Sequence, residues 1–367
     1  MAKRKREEPK QVVYLFGAGA TQAEVDYLGA RPVNLLMRDY DQLGEGVSTG
    51  ILAKMGPKGV PFSADRGVDI EKLISLLSGS GVDSHSKMAE KMRQLYFEEI
   101  CARLVDSQII ERPQLAIGLL EMHQNNSFRD EVEALAGIIT TNHDGLLQLA
   151  SEKVFGAVNI GFPFASEDLT PANSESVRPL IQLHGSFTWK FAVPLNVRTL
   201  REDSKYSPNT TWIPPMVLKE AKNYPFNKLT GVAYEVLAKR CDVLRVIGAS
   251  LSQNDWNVLA IIFNAQRHRE RVKKSPFRIE LIMSQRSGIE IQSNCSYFKN
   301  ITPIGSLTEG QFAEYRQYES EDPPVSSELA NAFFYWLREK IHHHRTLNEF
   351  GVGALGGTLA VIAGEAR

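Results

Sequence analysis

Short β-branched or aromatic runs that stop at small or polar residues alternate along the chain with stretches in which apolar positions return every three or four residues. These are the periods of buried strands and amphipathic helices. After a charged tail over residues 1–10, QVVYLF reads as a buried strand, and GAGATQAEV as a tight glycine turn opening a helix. Residues 44–84, rich in Gly, Ser, Pro and Asp, contain one helical island, DIEKLISLL, with Ile70, Leu73, Ile74 and Leu77 on one face. From Ser86 to Val105, Met88, Met92, Leu95, Tyr96 and Leu104 mark a second helix, and PQLAIGLLEMHQ a third that opens at Pro113. AGIITTN is a strand ending at Asn142, DGLLQLASEKV a helix capped by Asp144, and PLIQLHG a strand ending at His184 and Gly185. Residues 189–230 show little periodicity and read as a long loop with short helices. Beyond them come a helix (LTGVAYEVLAKRC), a strand (DVLRVIGAS), a helix (DWNVLAIIFNAQRHRERV) and a strand (FRIELIMS).

This βαβα alternation predicts an α/β fold, a Rossmann-like parallel sheet with helices on both faces. One domain over residues 11–310 carries a helical insertion at about 44–135. Residues 311–367 form a C-terminal helical extension, joined through EDPPVSSE.

Composition narrows the classes. With 43% hydrophobic and 23% charged residues in 367, the chain is of ordinary globular type and excludes collagen, coiled coil and disorder. Forty-two basic against 43 acidic side chains leave a net charge of -1, so direct nucleic-acid binding is not expected. Cys101, Cys241 and Cys295 are too few for a four-cysteine zinc module and too scattered for a disulfide framework. No signal-peptide core follows the basic N-terminus, and the weakly polar run Phe350 to Gly364 makes a helix of roughly 22 Å, too short for a ~30 Å hydrocarbon core. A cytoplasmic protein without a membrane span is the expectation.

Four predicted strands end in small or polar residues: GAGAT at 17–21, TTNHD at 140–144, LHGS at 183–186 and GASLSQND at 248–255. Ligands of open α/β sheets bind outside the carboxyl ends of the strands, so these loops point to one shared site. Gly17 and Gly19 allow a helix N-terminus to meet a diphosphate; a plain strand-to-helix turn without a ligand is the bland alternative. Neither the GxxxxGK[ST] nor the GxGxxG pattern is present. Asn142 can bind a water or a ribose hydroxyl; a turn Asn beside a helix-capping Asp144 is the bland alternative. His184 is a candidate base or a satisfied core histidine. Gly248 and Ser250 suit a phosphate or ribose, and Asp255 a helix cap.

In this order the four motifs resemble the sirtuin superfamily, over roughly residues 11–290: the glycine turn, the T-x-N-x-D loop, the L-H-G histidine and the G-x-S-L segment. The resemblance implies that Gly17, Ala18, Gly19 and Thr21 hold the NAD diphosphate, and that Asn142 and Asp144 lie beside the nicotinamide ribose. It makes His184 the catalytic histidine and sets Gly248 and Ser250 on the adenosine half. The zinc cysteines of the protein deacylases are absent, the arginine of the cofactor loop has no match in register, and Thr21 replaces the usual serine. The pattern is similar to the bacterial sirtuin-like NAD hydrolases of anti-phage defence, which pair with a HerA-type ATPase, an Argonaute or a sensor domain. It implies a metal-free NAD hydrolase yielding nicotinamide and ADP-ribose, with NAD as substrate. An NAD-dependent protein deacylase and a non-catalytic NAD- or ADP-ribose-binding scaffold subunit are the alternatives.

Three patches invite other readings. HHH at 342–344 is a solvated or interface helix rather than a metal site, because consecutive helical residues diverge by about 100°. RHRERVKK at 267–274 reads as a solvated helix face. The apolar, glycine-rich GVGALGGTLAVIAG suggests packing in a homo-oligomer.

Overall fold

The computed structural model describes residues 8–28, 33–37, 39, 44–56, 69–109, 114–125, 133–156, 179–190, 196–197, 206–207, 210–217, 219, 221–283, 285–304 and 336. A parallel sheet of six strands forms the centre: β1 (Lys10–Phe16), β2 (Glu133–Thr140), β3 (Leu180–Gln182), β7 (Val243–Ile247), β8 (Arg278–Ile282) and β9 (Ile301–Ile304). Their spatial order is β3-β2-β1-β7-β8-β9. The chain begins in the middle, moves outward to β3, and resumes on the other side of β1. The strand order therefore reverses between β1 and β7, where open α/β sheets form their binding crevice.

Burial on both faces explains the continuous apolar strands. Val12, Tyr14 and Phe16 of β1 pack on one face with α1 (Ala18–Leu28), α5 (Gln114–Gln124) and α6 (Leu146–Phe155). Val13 and Leu15 pack on the other with α7 (Phe226–Arg240), α8 (Trp256–Arg271) and α9 (Gln285–Asn294). The Rossmann-like sheet, with helices on both faces, is thus as expected.

Between α1 and α5 lies the helical insertion, α2 (Val47–Met55), α3 (Ile70–Gly79) and α4 (Asp83–Ser107). It has a core of its own, in which Ile51, Ile74, Met92 and Phe97 meet Val25 of α1, Leu146 of α6 and Phe187. Leu119 and Leu120 of α5 pack instead against the sheet, beside Val12 and Tyr14.

Several elements escaped the sequence pattern. The segment read as a long loop contains part of a second, antiparallel sheet of β4 (Gly185–Lys190), β5 (Asn196–Val197) and β6 (Thr210–Trp212), ordered β5-β4-β6. Two- and three-residue strands are too short to show an alternation. Helix α2 is nine residues long with Gly50 inside it, and α9 and β9 extend the alternation beyond FRIELIMS. The tail residues 1–7, the HHH run and the glycine-rich C-terminal segment lie outside the described residues, as does the C-terminal extension apart from Trp336.

Among the described residues no helix is long and apolar enough to cross a membrane. The basic run at 267–274 is not wholly solvated: Arg269 is buried and donates to the carbonyls of Ser275 and Cys241.

Candidate functional site

The loops after β1 and β7 interlock at the point where the strand order reverses. The Gly17 amide donates to the Ile247 carbonyl at 3.0 Å, the Gly19 amide to the Gly248 carbonyl at 2.9 Å, and the Ala20 amide to the Gly17 carbonyl at 2.9 Å. A Cβ on Gly17 would stand 2.5 Å from the Ala249 Cα, and one on Gly248, at φ +62°, 2.2 Å from the Ala20 nitrogen. Each glycine is required by the opposing loop. Three amides expected near a diphosphate are thus engaged within the protein. Ala18 and Ser250 are exposed on this loop pair.

Three side chains from the first two motifs form one buried network. Asn142 Nδ2 donates to the Gly17 carbonyl at 2.9 Å and to Thr21 Oγ1 at 2.8 Å. The Thr21 hydroxyl passes its own proton to Asp144 Oδ2 at 2.6 Å, and Asp144 Oδ1 accepts the Leu146 amide at 3.0 Å. Both amide protons of Asn142 are therefore committed, and Oδ1 is the acceptor that remains. Asp144 holds the start of α6 through Leu146, while Gly145 occupies the cap position assigned from sequence to Asp144. Burial raises the Asp144 carboxyl above the usual range, and the Thr21 hydroxyl and Leu146 amide lower it.

His184 sits in the turn between β3 and β4, held by the Leu183 amide on the Thr140 carbonyl (2.9 Å) and the Ile213 amide on the His184 carbonyl (2.7 Å). Its ring, 2% exposed, hydrogen-bonds the backbone of Thr141, the neighbour of Asn142. Donation to that carbonyl leaves Nε2 to accept from Asn257 Nδ2 at 3.3 Å. Burial, then the positive charge of Lys219, pushes the imidazole down to about 4; Asp255, Asn257 and Thr141 oppose this. A neutral ring at neutral pH is the result.

Sequence reasoning passed over much of the surroundings. His143 donates from Nε2 to the Ile213 carbonyl at 2.9 Å and lies over Phe187, with ring centroids 5.4 Å apart. Its ring centroid is 6.1 Å from that of His184, and burial holds it well below the ordinary histidine value. Trp212 stands edge-on to His143 at 5.1 Å and is stacked on Tyr96 of α4 at 5.8 Å. Lys219 bridges Asp255 (2.5 Å) and Glu71 of α3 (3.4 Å), tying the insertion to the loop after β7. Asp255 does precede α8, but its carboxylate serves Lys219 rather than capping the helix. His143 was visible inside TTNHD, whereas nothing local marks Lys219 or Asn257.

Among the described residues no cluster of His, Cys, Asp and Glu is arranged to hold a metal ion. No protein-family model matches the chain, and no curated protein matches it at a significant level. The Rossmann-like fold is compatible with nucleotide binding in general.

Proposed function

We propose that this chain hydrolyses NAD at the nicotinamide N-glycosidic bond, giving nicotinamide and ADP-ribose. The observation that carries this reading is the fixed Asn142 amide: both N–H groups are tied down by Gly17 and Thr21, so Oδ1 keeps one direction, next to the peptide that hydrogen-bonds His184.

The nicotinamide of NAD is a cationic pyridinium. When its bond to the ribose breaks, the electron pair stays on the ring nitrogen and neutral nicotinamide leaves without needing a general acid. A water oxygen then bonds to the ribose carbon, and its proton must be removed. In this reading Asn142 Oδ1 accepts a hydrogen bond from that water or from a ribose hydroxyl, and His184 receives the proton on Nε2 once that nitrogen gives up its hydrogen bond from Asn257. Thr21 and Asp144 are positioning residues that fix the Asn142 amide. Ala18 and Ser250, exposed at the reversal point, are the surface for the rest of the dinucleotide, with Gly19 and Gly248 beneath them.

The resemblance to sirtuin-like defence proteins makes the role an NAD-depleting effector acting as a homo-oligomer or beside a HerA-type ATPase. Incubating the full chain with NAD, with and without an acetylated peptide, tests the reaction. Equal nicotinamide release in both supports hydrolysis. Release only with the peptide supports a deacylase, and binding of NAD without release supports a scaffold subunit.

A further inference from the structure

Asn257, whose amide occupies His184 Nε2 at 3.3 Å, stands in the first turn of α8, directly after the short turn Gln253–Asp255. That turn is fastened to the helical insertion. Asn254 Nδ2 donates to the Glu71 carboxylate near the start of α3, and Asp255 pairs at 2.5 Å with Lys219, whose ammonium also reaches Glu71 at 3.4 Å. The Lys219 side chain is 8% exposed, so salt screens these pairs little. Two residues before Lys219, the Val217 amide donates to Ser75 Oγ at 2.9 Å. Glu71 and Ser75 are four apart and share one face of α3.

The two ends of this linkage belong to differently packed parts of the chain. Ile70, Leu73, Ile74 and Leu77 anchor α3 in the core of the insertion, whereas Val258 and Leu259, next to Asn257, lie in the core beneath the sheet. Between the interlocked Gly248 loop and the fastened turn, Leu251 takes φ +46°, a left-handed conformation uncommon for a non-glycine residue. Such a residue persists where its surroundings impose it, and it marks where the loop can change course when a restraint is released. The linkage ends two residues before the amide that takes His184 Nε2. With the other ring nitrogen held by the Thr141 backbone, both nitrogens of His184 are engaged, and neither can serve a ligand until Asn257 withdraws. A brace between insertion and sheet would account for the ion pairs but not for that endpoint.

We propose that the Glu71–Lys219–Asp255 cluster is an inhibitory clamp: through the Gln253–Asp255 turn it holds Asn257 on His184 Nε2, and displacement of α3 releases the histidine. The insertion thereby controls whether the ring is free. Release of His184 stands on the contacts alone, whereas its effect on turnover rests on the proposed reaction.

Diethyl pyrocarbonate, which acylates neutral imidazole nitrogens, tests the clamp on the full chain, with each histidine read by peptide mass spectrometry. In wild type, His184 is expected to react at least tenfold more slowly than the partly exposed His85. Lys219→Met, which leaves Glu71 and Asp255 without their shared cation, and Asn257→Ala should each raise the His184 rate at least tenfold. Asn254→Ala, which strands no charge, should raise it several-fold. His123, buried against Tyr14, should stay protected throughout. Labelling of wild-type His184 as fast as His85, no acceleration in Lys219→Met and Asn254→Ala, or equal acceleration at His123, the sign of global loosening, would each overturn the clamp. With NAD present, Lys219→Met should release nicotinamide faster than wild type; slower release would overturn the inhibitory sense of the contact. Faster labelling of His184 with no nicotinamide from any chain would support the clamp and refute the proposed reaction alone.

Discussion

The Gly19 amide donates a 2.9 Å hydrogen bond to the Gly248 carbonyl, joining two loops 229 positions apart at the point where the strand order reverses. Across this contact a Cβ on Gly248 would lie 2.2 Å from the Ala20 nitrogen, with φ already at +62°. Gly248→Ala meets backbone on one side and left-handed strain on the other. We expect a loss on the order of 3 kcal/mol or more in urea denaturation, opposite in sign to the gain of about 0.4–1 kcal/mol when alanine replaces glycine at a compatible position.

Thr21 joins Asn142 to Asp144 through one hydroxyl. Thr21→Val keeps the shape and removes both bonds, leaving Asp144 Oδ2 and one Asn142 amide proton without partners, while Asp144 Oδ1 keeps the Leu146 amide. The expected stability loss is about 1–3 kcal/mol, and nicotinamide release should fall at least tenfold with little change in KM. Thr21→Ser retains the hydroxyl and should recover most of the rate. Equal activity in Thr21→Val and wild type would remove Thr21 from the positioning role.

Burial depresses His184 to about 4 in the folded chain, against about 6.5 when unfolded. Above pH 6.5 the ring is neutral in both states and its contribution to stability is fully present. As pH falls from 6.5 toward 4, the unfolded chain takes up a proton that the folded one refuses, and stability is lost. The stability of wild type relative to His184→Gln should therefore decline through this window, measured by denaturant titration at a series of pH values. A difference that stays constant with pH would contradict the buried neutral ring.

Across the sheet, Arg245 of β7 forms a bidentate pair with Glu133 of β2 (2.5 and 2.6 Å) and a further bond to Glu280 of β8 (2.8 Å), all buried. The Trp336 ring covers the guanidinium at 5.1 Å. Arg245→Met strands the Glu133 carboxylate and leaves Glu280 to Arg278 alone, with an expected cost of about 3–5 kcal/mol. Glu133→Gln in the same chain should recover part of it. Full stability of the single variant would show that the cluster does not depend on its cation.

Five of the six strands of the main sheet were readable because each is a short apolar run with both faces covered, as VVYLF and VLRVI show; β9, an edge strand with one buried residue in four, was not. β5 and β6 were not, since two or three residues carry no period. Candidate site residues could be picked out one by one, as glycines, an Asn and a His at strand ends. Their partnerships could not: Thr21 meets Asp144 across 123 positions and Asn257 meets His184 across 73. Asp255 misled because a residue suited to capping a helix was also within reach of Lys219 from a distant loop. Local pattern ranks residue types for a position, whereas packing decides which distant group claims them.

Isotope labelling reaches the proposed chemistry most directly. The full chain is incubated with NAD in ¹⁸O-water, alongside Asn142→Ala, and the ADP-ribose is weighed by mass spectrometry. Wild type is expected to give nicotinamide and ADP-ribose in equal amounts, with one ¹⁸O on the former nicotinamide-bearing carbon, and Asn142→Ala neither product. Intact NAD in the wild-type reaction, or the same labelled yield from Asn142→Ala, would contradict hydrolysis at this site.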